Sequence, residues 1–208
     1  MLHPEALPPG TLPVLERLMS IPVLRDHALV GGTALALRYG HRLSVDLDLF
    51  GSRFEHDRIR DDLKKEFGAS FQYEPGRGSS IGLFCFINGV KVDIVKYPHP
   101  RIADLEQHGP LRIYADADIA AMKVQALLGR GKKKDFWDLH TLLQQYGLKE
   151  IIGWHLAKYP DQLLAISIPA AITYFTDAED SEDPVSLQGQ TWEEVKASIQ
   201  KAVRDYLS

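Results

Sequence analysis

Apolar and polar positions fall into two regimes along this chain. Through residue 115 the apolar positions come in short, partly alternating runs punctuated by glycine and proline, as in strands and short helices. "LPVLERLMS" has helical spacing, and "HALVGG" reads as a short strand entering a turn at Gly31 and Gly32. "TALALRYG" predicts a short helix stopped by Gly40, since glycine readily takes the left-handed backbone found at helix ends. "SVDLDLFG" alternates, with Val45, Leu47 and Leu49 on one face of a strand and Ser44, Asp46, Asp48 and Phe50 on the other. "HDRIRDDLKKEFG" predicts a charged amphipathic helix and "SFQYEP" a strand. "SSIGLFCFINGVKVDIVKYP" predicts two strands joined at Asn88 and Gly89, a dipeptide that favours a tight antiparallel hairpin.

From Asp116 the spacing becomes helical. "DADIAAMKVQALLGRGKKKDFWDLHTLLQQYG" predicts helix with Asp116 as N-cap and a break at Gly129 and Gly131. "KEIIGWHLAKYP", "DQLLAISIPAAITYF" and "TWEEVKASIQKAVRDYLS" predict three more helices, with residues 176–188 an exposed acidic loop between the last two. The expectation is an α+β protein: a mixed sheet with helices over residues 1–115, then a helical lobe over 116–208.

Composition narrows the function classes. With 208 residues, 45% hydrophobic, the chain can bury a substantial core. A net charge of -4 argues against holding nucleic acid by overall charge, so any such binding has to be local. The lone cysteine, Cys85, sits in an apolar run and has no intramolecular disulfide partner, which fits a reducing compartment. "MLHPEALPPGTLP" lacks the basic start and apolar core of a signal peptide, and no segment has the apolar length of a membrane span. A cytoplasmic protein is expected.

Against that background the acids in "SVDLDLFG" stand out. Carboxylates two residues apart on a strand share a face roughly 6–7 Å apart, and can lean together onto a divalent cation. Mg²⁺ suits one or two carboxylates, retained waters and the phosphate oxygens of a substrate. Asp93, in the otherwise apolar strand "GVKVDIVKY", offers a third acid. Upstream, Gly31 and Gly32 allow close backbone approach to a phosphate, with amides of the following helix facing the anion. No H-E-x-x-H, paired C-x-x-C or G-x-x-x-x-G-K-[ST] motif points to zinc or to a P-loop.

A glycine pair, a short helix, D-x-D on a strand and a third acid on a later strand resemble the nucleotidyltransferase fold of the polymerase β superfamily. More closely, "LVGGTALALRYGHRLSVDLDLF" and "DIAAMKVQALLGRGKKKDFWDL" resemble the AbiEii-type nucleotidyltransferase toxins of prokaryotes, over roughly residues 27–143. The resemblance implies a bilobed enzyme that uses an NTP and Mg²⁺ to transfer a nucleotide, in several members to RNA including tRNA, and that is neutralised by a cognate antitoxin. Many superfamily members carry Gly-Ser where this chain has Gly31-Gly32 followed by Thr33, whose hydroxyl could meet a phosphate oxygen.

On this reading Asp46 and Asp48 hold Mg²⁺, while Asp93 serves a second metal position and activates the acceptor hydroxyl. Lys123 projects from a mostly apolar helix toward the triphosphate, as a mobile point charge. Arg130, Lys132, Lys133 and Lys134 form a basic cluster for NTP phosphates or an RNA backbone. Asp135 and Asp138, three residues apart on one helix side, orient those cations, and the family pattern favours Asp135. Phe136, Trp137 and Leu139 belong to the core. Ser44 shares the face of Asp46, so phosphorylation there would put negative charge beside the acids and block the NTP. Two alternatives stand beside this reading: an antibiotic-type transferase acting on a small molecule, and a binding module that keeps the fold without catalysis.

Overall fold

The computed structural model describes residues 1–73, 80–129 and 131–208. Among these residues seven strands form one mixed sheet: β1 (Ala28–Val30), β2 (Leu47–Gly51), β3 (Phe71–Tyr73), β4 (Gly82–Ile87), β5 (Val90–Lys96), β6 (Glu106–His108) and β7 (Leu111–Ile113), in spatial order β3-β4-β5-β2-β1-β7-β6. The two central pairings set the site: β2 runs antiparallel to β1 and parallel to β5. Asn88 and Gly89 both take positive φ in the β4–β5 turn, as that dipeptide predicts.

Strand alternation sorts the sheet into a dry face and a polar face. Leu47, Leu49, Leu83, Val92 and Ile94 are fully buried on the first. Helix α3 (His56–Phe67) packs on β3 and β4, burying Ile59, Leu63 and Phe67 and leaving its charges outside. The second face carries Asp48 and Phe50 from β2, Asp93 from β5, and Phe84 and Phe86 from β4. Helices α1 (Thr11–Ser20) and α2 (Gly31–Tyr39) pack against β7 and β1 respectively, and Gly40, at φ +58°, ends α2.

The helical part comprises α4 (Asp116–Gly129), α5 (Lys133–Leu143), α6 (Leu148–Lys158), α7 (Ile168–Ile172) and α8 (Trp192–Leu207). Helix α4 is its hub, touching α2, α5, α6 and α7, while α5 packs between α2 and α8. Phe136, Trp137 and Leu139 are buried as expected. Trp192 at the start of α8 stacks on Trp137, with ring centroids 5.7 Å apart. Lys158, fully buried, donates to Asp118 at 2.5 Å and to the Pro100 carbonyl at 3.0 Å, tying α6 to α4 and to the chain entering β6.

Several boundaries differ from the sequence reading. Gly31 and Gly32 open α2 directly; Gly31 takes φ +74°, so the reversal and the helix start coincide. Strand β2 begins at Leu47, and Val45 is exposed because the chain before it hugs α2 instead of the sheet. Asp116 is the first residue of α4, and its carboxylate is taken by Arg38, Tyr39 and Tyr146. "DQLLAISIPAAITYF" forms only α7: Leu163 and Ile166 are exposed, so no apolar face holds the preceding turns, and Pro169 sets the helix start after the Ser167 cap. Strands β6 and β7, three residues each, carry too little alternation to be read in advance.

The acidic loop is exposed over much of its length but anchored at two points. The Lys133 amide donates to Ser181 Oγ at 2.9 Å, and Lys133 Nζ lies 2.9 Å from Asp183. Near its end, Val185–Leu187 runs antiparallel along residues 41–43, with Leu43 N donating to Val185 O and Leu187 N to His41 O.

Candidate active site

Parallel pairing of β2 with β5 places Asp48 directly beside Asp93. Neighbouring strands lie about 4.8 Å apart, so the two carboxylates leave the same face as immediate neighbours. Burial raises the Asp48 carboxyl above the usual carboxylate range, and the charge of Asp93 adds to the shift. Lys91 reaches Asp93 at 2.6 Å, yet the other oxygen of Asp93 is buried with no hydrogen-bond partner among the described residues. The pair is thus short of positive charge.

At the end of β1, Gly31 closes the site. A Cβ on it would lie 3.1 Å from the Asp48 carboxylate, and its positive φ would strain any other residue. No side chain caps α2, and its first residues Gly31, Gly32 and Thr33 line a cavity of about 200 Å³ shared with Ser44, Asp46 and Asp48. Asp46 lies just ahead of β2, its carbonyl bonded by Thr33 Oγ1, which also contacts Ser44 Oγ at 2.8 Å. The Thr33 hydroxyl therefore fastens the 44–46 segment to α2, leaving its amide as the group free to meet a phosphate. Ser44 is only 8% exposed, so a kinase would reach its hydroxyl only if this segment opened.

The far wall is basic. Lys123, from α4, faces the cavity and lies 2.9 Å from Asp135 and 2.5 Å from Asp138. Burial alone would depress its ammonium; Asp138 and Asp135 more than offset this and keep it charged. Lys134 lines the same cavity, Lys132 and Lys133 stand at the start of α5, and Arg130 lies outside the described residues. Asp138 is fully buried and binds three partners: Lys123, Arg42 in a two-pronged contact at 2.8 and 2.9 Å, and His41 at 2.7 Å. Burial pushes the Asp138 carboxyl up, but Arg42, Lys123 and His41 together hold it well below the usual range.

Arg42 is the site residue that the sequence reading missed. It is 4% exposed, lines the cavity, and packs so tightly on Gly32 that a Cβ there would fall 2.0 Å from its guanidinium. Its signal was present: Arg42, Ser44, Asp46 and Asp48 recur every second residue, the period of an extended segment with one functional face. The family pattern favours Asp135, whereas in the structure Asp138 is the anion shared by both buried cations.

A mixed sheet presenting paired carboxylates beside an uncapped helix start, faced by a lysine, is the arrangement expected of a nucleotidyltransferase. The family "Nucleotidyl transferase AbiEii toxin, Type IV TA system" matches residues 14–162, and the chain belongs to it. A curated but uncharacterised protein of Aquifex aeolicus (strain VF5) is 34% identical over 93% of this chain and 94% of its own. Among solved structures, JHP933 from Helicobacter pylori superposes with a TM-score of 0.58 at 18% identity, covering 92% of this chain and 86% of that one. MenT4, a nucleotidyltransferase toxin of Mycobacterium tuberculosis H37Rv, superposes with a TM-score of 0.56 at 15% identity, covering 92% and 82%. At these identities the structural likeness is one of fold. Among the described residues no helix is long and apolar enough to cross a membrane.

The residues fit a divalent cation. Asp93 keeps an unpartnered buried oxygen, and the Asp48 carboxyl is pushed toward its neutral form where no cation balances it. Among the described residues no three ligating groups form a ready-made cage. The three expected acids are therefore not gathered into one ligand set, and it is the Asp48 and Asp93 pair that fits Mg²⁺, which relies on few carboxylates and completes its shell with water and substrate phosphate.

Proposed function

We propose that this protein transfers a nucleotide from an NTP to an RNA acceptor, tRNA included, with Mg²⁺ in a two-metal arrangement, as the intracellular toxin of a toxin and antitoxin pair. The observation that carries the reading is the in-register pair Asp48 and Asp93 at the uncapped start of α2, with Lys123 across the cavity. Residues 1–115 act as the catalytic lobe and 116–208 as the helical lobe that supplies the cations.

Bound Mg²⁺ would be held by the Asp48 and Asp93 pair, with Asp46 drawn in from the segment ahead of β2, and would supply charge neutralisation on the phosphates. The Gly31, Gly32 and Thr33 amides receive phosphate oxygens, and Lys123, Lys134 and Arg130 add positive charge along the triphosphate. Arg42 and Asp135 hold the basic wall in place. The acceptor hydroxyl attacks the α-phosphorus, the bond to pyrophosphate breaks, and Asp93 takes up the hydroxyl proton. Preorganised charge does most of the work, because phosphoryl transfer needs positioning more than covalent chemistry.

The test is incubation of the purified protein with each α-³²P-labelled NTP, Mg²⁺ and total cellular RNA, followed by gel separation. Label should enter one RNA class with the wild type and not with Asp48→Asn. Label found in a small hydroxylated compound instead would give the acceptor to the antibiotic-type reading. No transfer to RNA, protein or small molecule, with NTP still bound, would mark a binding module.

A further inference from the structure

We infer that the open aromatic groove beside Asp93 is the acceptor subsite, and that it takes an unpaired nucleotide whose base stacks on Phe86 and Phe84. The inference rests on the transferase reading above and extends it to the acceptor's form.

The groove, of about 770 Å³, lies on the face of the sheet that carries the acids. Strand pairing aligns Phe84, Asp93 and Asp48 across β4, β5 and β2, and on the adjoining row Gln72, Phe86 and Lys91 across β3, β4 and β5. Asp93 lines the groove and Asp48 lines the smaller phosphate cavity. The carboxylate pair is therefore the junction of two spaces, one on each side. A hydroxyl arriving through the groove meets an α-phosphate held in the cavity at these carboxylates, without crossing the basic wall.

Chemistry selects the occupant. Phe86 is 48% exposed on a strand whose other face is dry, and Phe84 is half-buried beside it. Among the described residues the groove's carboxylate is Asp93, and it is already paired with Lys91. A polycationic sugar would find aromatic rings and a competing ammonium there, whereas a nucleobase finds rings to stack on and its phosphate finds Lys91. Bases inside a duplex have their faces covered, so stacking requires a single-stranded end.

The test titrates fluorescently labelled single-stranded RNA of about eight nucleotides, within the usual site size for strand-binding surfaces, against wild type, Phe86→Ala and Phe86→Tyr, with the blunt duplex of the same sequence as comparison. Binding of Mg²⁺ with a non-hydrolysable NTP is measured in parallel. The single strand should bind more tightly than the duplex, lose affinity about tenfold in Phe86→Ala and keep it in Phe86→Tyr, with NTP binding unchanged in all three. Equal affinity for strand and duplex, no binding of the strand by wild type, or no change in Phe86→Ala overturns the inference. If the strand fails while NTP binds, only the acceptor subsite falls; if NTP fails to bind, the transferase reading falls, and the strand titration still decides the groove.

Discussion

Two clusters of charge face each other across the cavity, and they are built on opposite terms. On the sheet, Asp48 and Asp93 sit side by side with Lys91 as their close cation, and one oxygen of Asp93 is buried without a partner. On the helices, Asp138 is saturated by Arg42, Lys123 and His41. The saturated cluster is scaffold, since its charges are spent on one another and fix the cations in place. The unsaturated pair costs stability in the free protein and is repaid only by a ligand bringing positive charge. Pairing state therefore separates the residues that hold the site from those that use it.

The contrast can be broken most severely at its paired end. Asp138→Ala leaves the buried Arg42 without its carboxylate and Lys123 with Asp135 alone, and should lower unfolding free energy by about 3–5 kcal/mol, read by chemical denaturation. At the unpaired end, Asp48→Asn should cut transfer at least about 100-fold while the metal-free protein melts no lower than wild type. Added Mg²⁺ should raise the wild-type Tm and leave that of Asp48→Asn where it was. Loss of both activity and stability in Asp48→Asn would erase the distinction.

The two carboxylates should also respond oppositely to pH in EDTA. Asp48 has a raised pKa in the fold, so the stability it costs is felt at neutral pH and relieved as pH falls through that value. The Tm advantage of Asp48→Asn should therefore shrink on acidification. Asp138 has a depressed pKa, so its contribution is complete above about pH 4, the ordinary Asp value, and is lost below it. The Tm deficit of Asp138→Asn should shrink only there. The smallest effect belongs to the exposed partner of Lys133: Asp183→Asn should change stability by under about 0.5 kcal/mol.

How much of this was legible in advance follows from the range over which each signal acts. The strand carrying Asp48, the hairpin at Asn88-Gly89 and the stop at Gly40 are local, and alternation or backbone preference announces them, though the strand starts after Asp46 instead of including it. The closeness of Asp93 to Asp48 depends on parallel register between strands 45 residues apart, which no local pattern specifies. Arg42 went unread for a similar reason: its partner Asp138 is 96 residues away, and a lone arginine before a strand looks like surface until that anion is placed beside it. The long helix expected over 161–175 failed because residues with helical spacing, such as Leu163 and Ile166, found no face to pack on.

The antiparallel bridge between residues 185–187 and 41–43 has a consequence for timing. A chain still emerging from the ribosome already carries its acids and its glycine cradle, but the segment holding Arg42 cannot be clamped until residues near position 187 are free. The wall of the cavity at Arg42 is therefore completed late, by a segment made well after the sheet, so the order of synthesis sets when that wall closes.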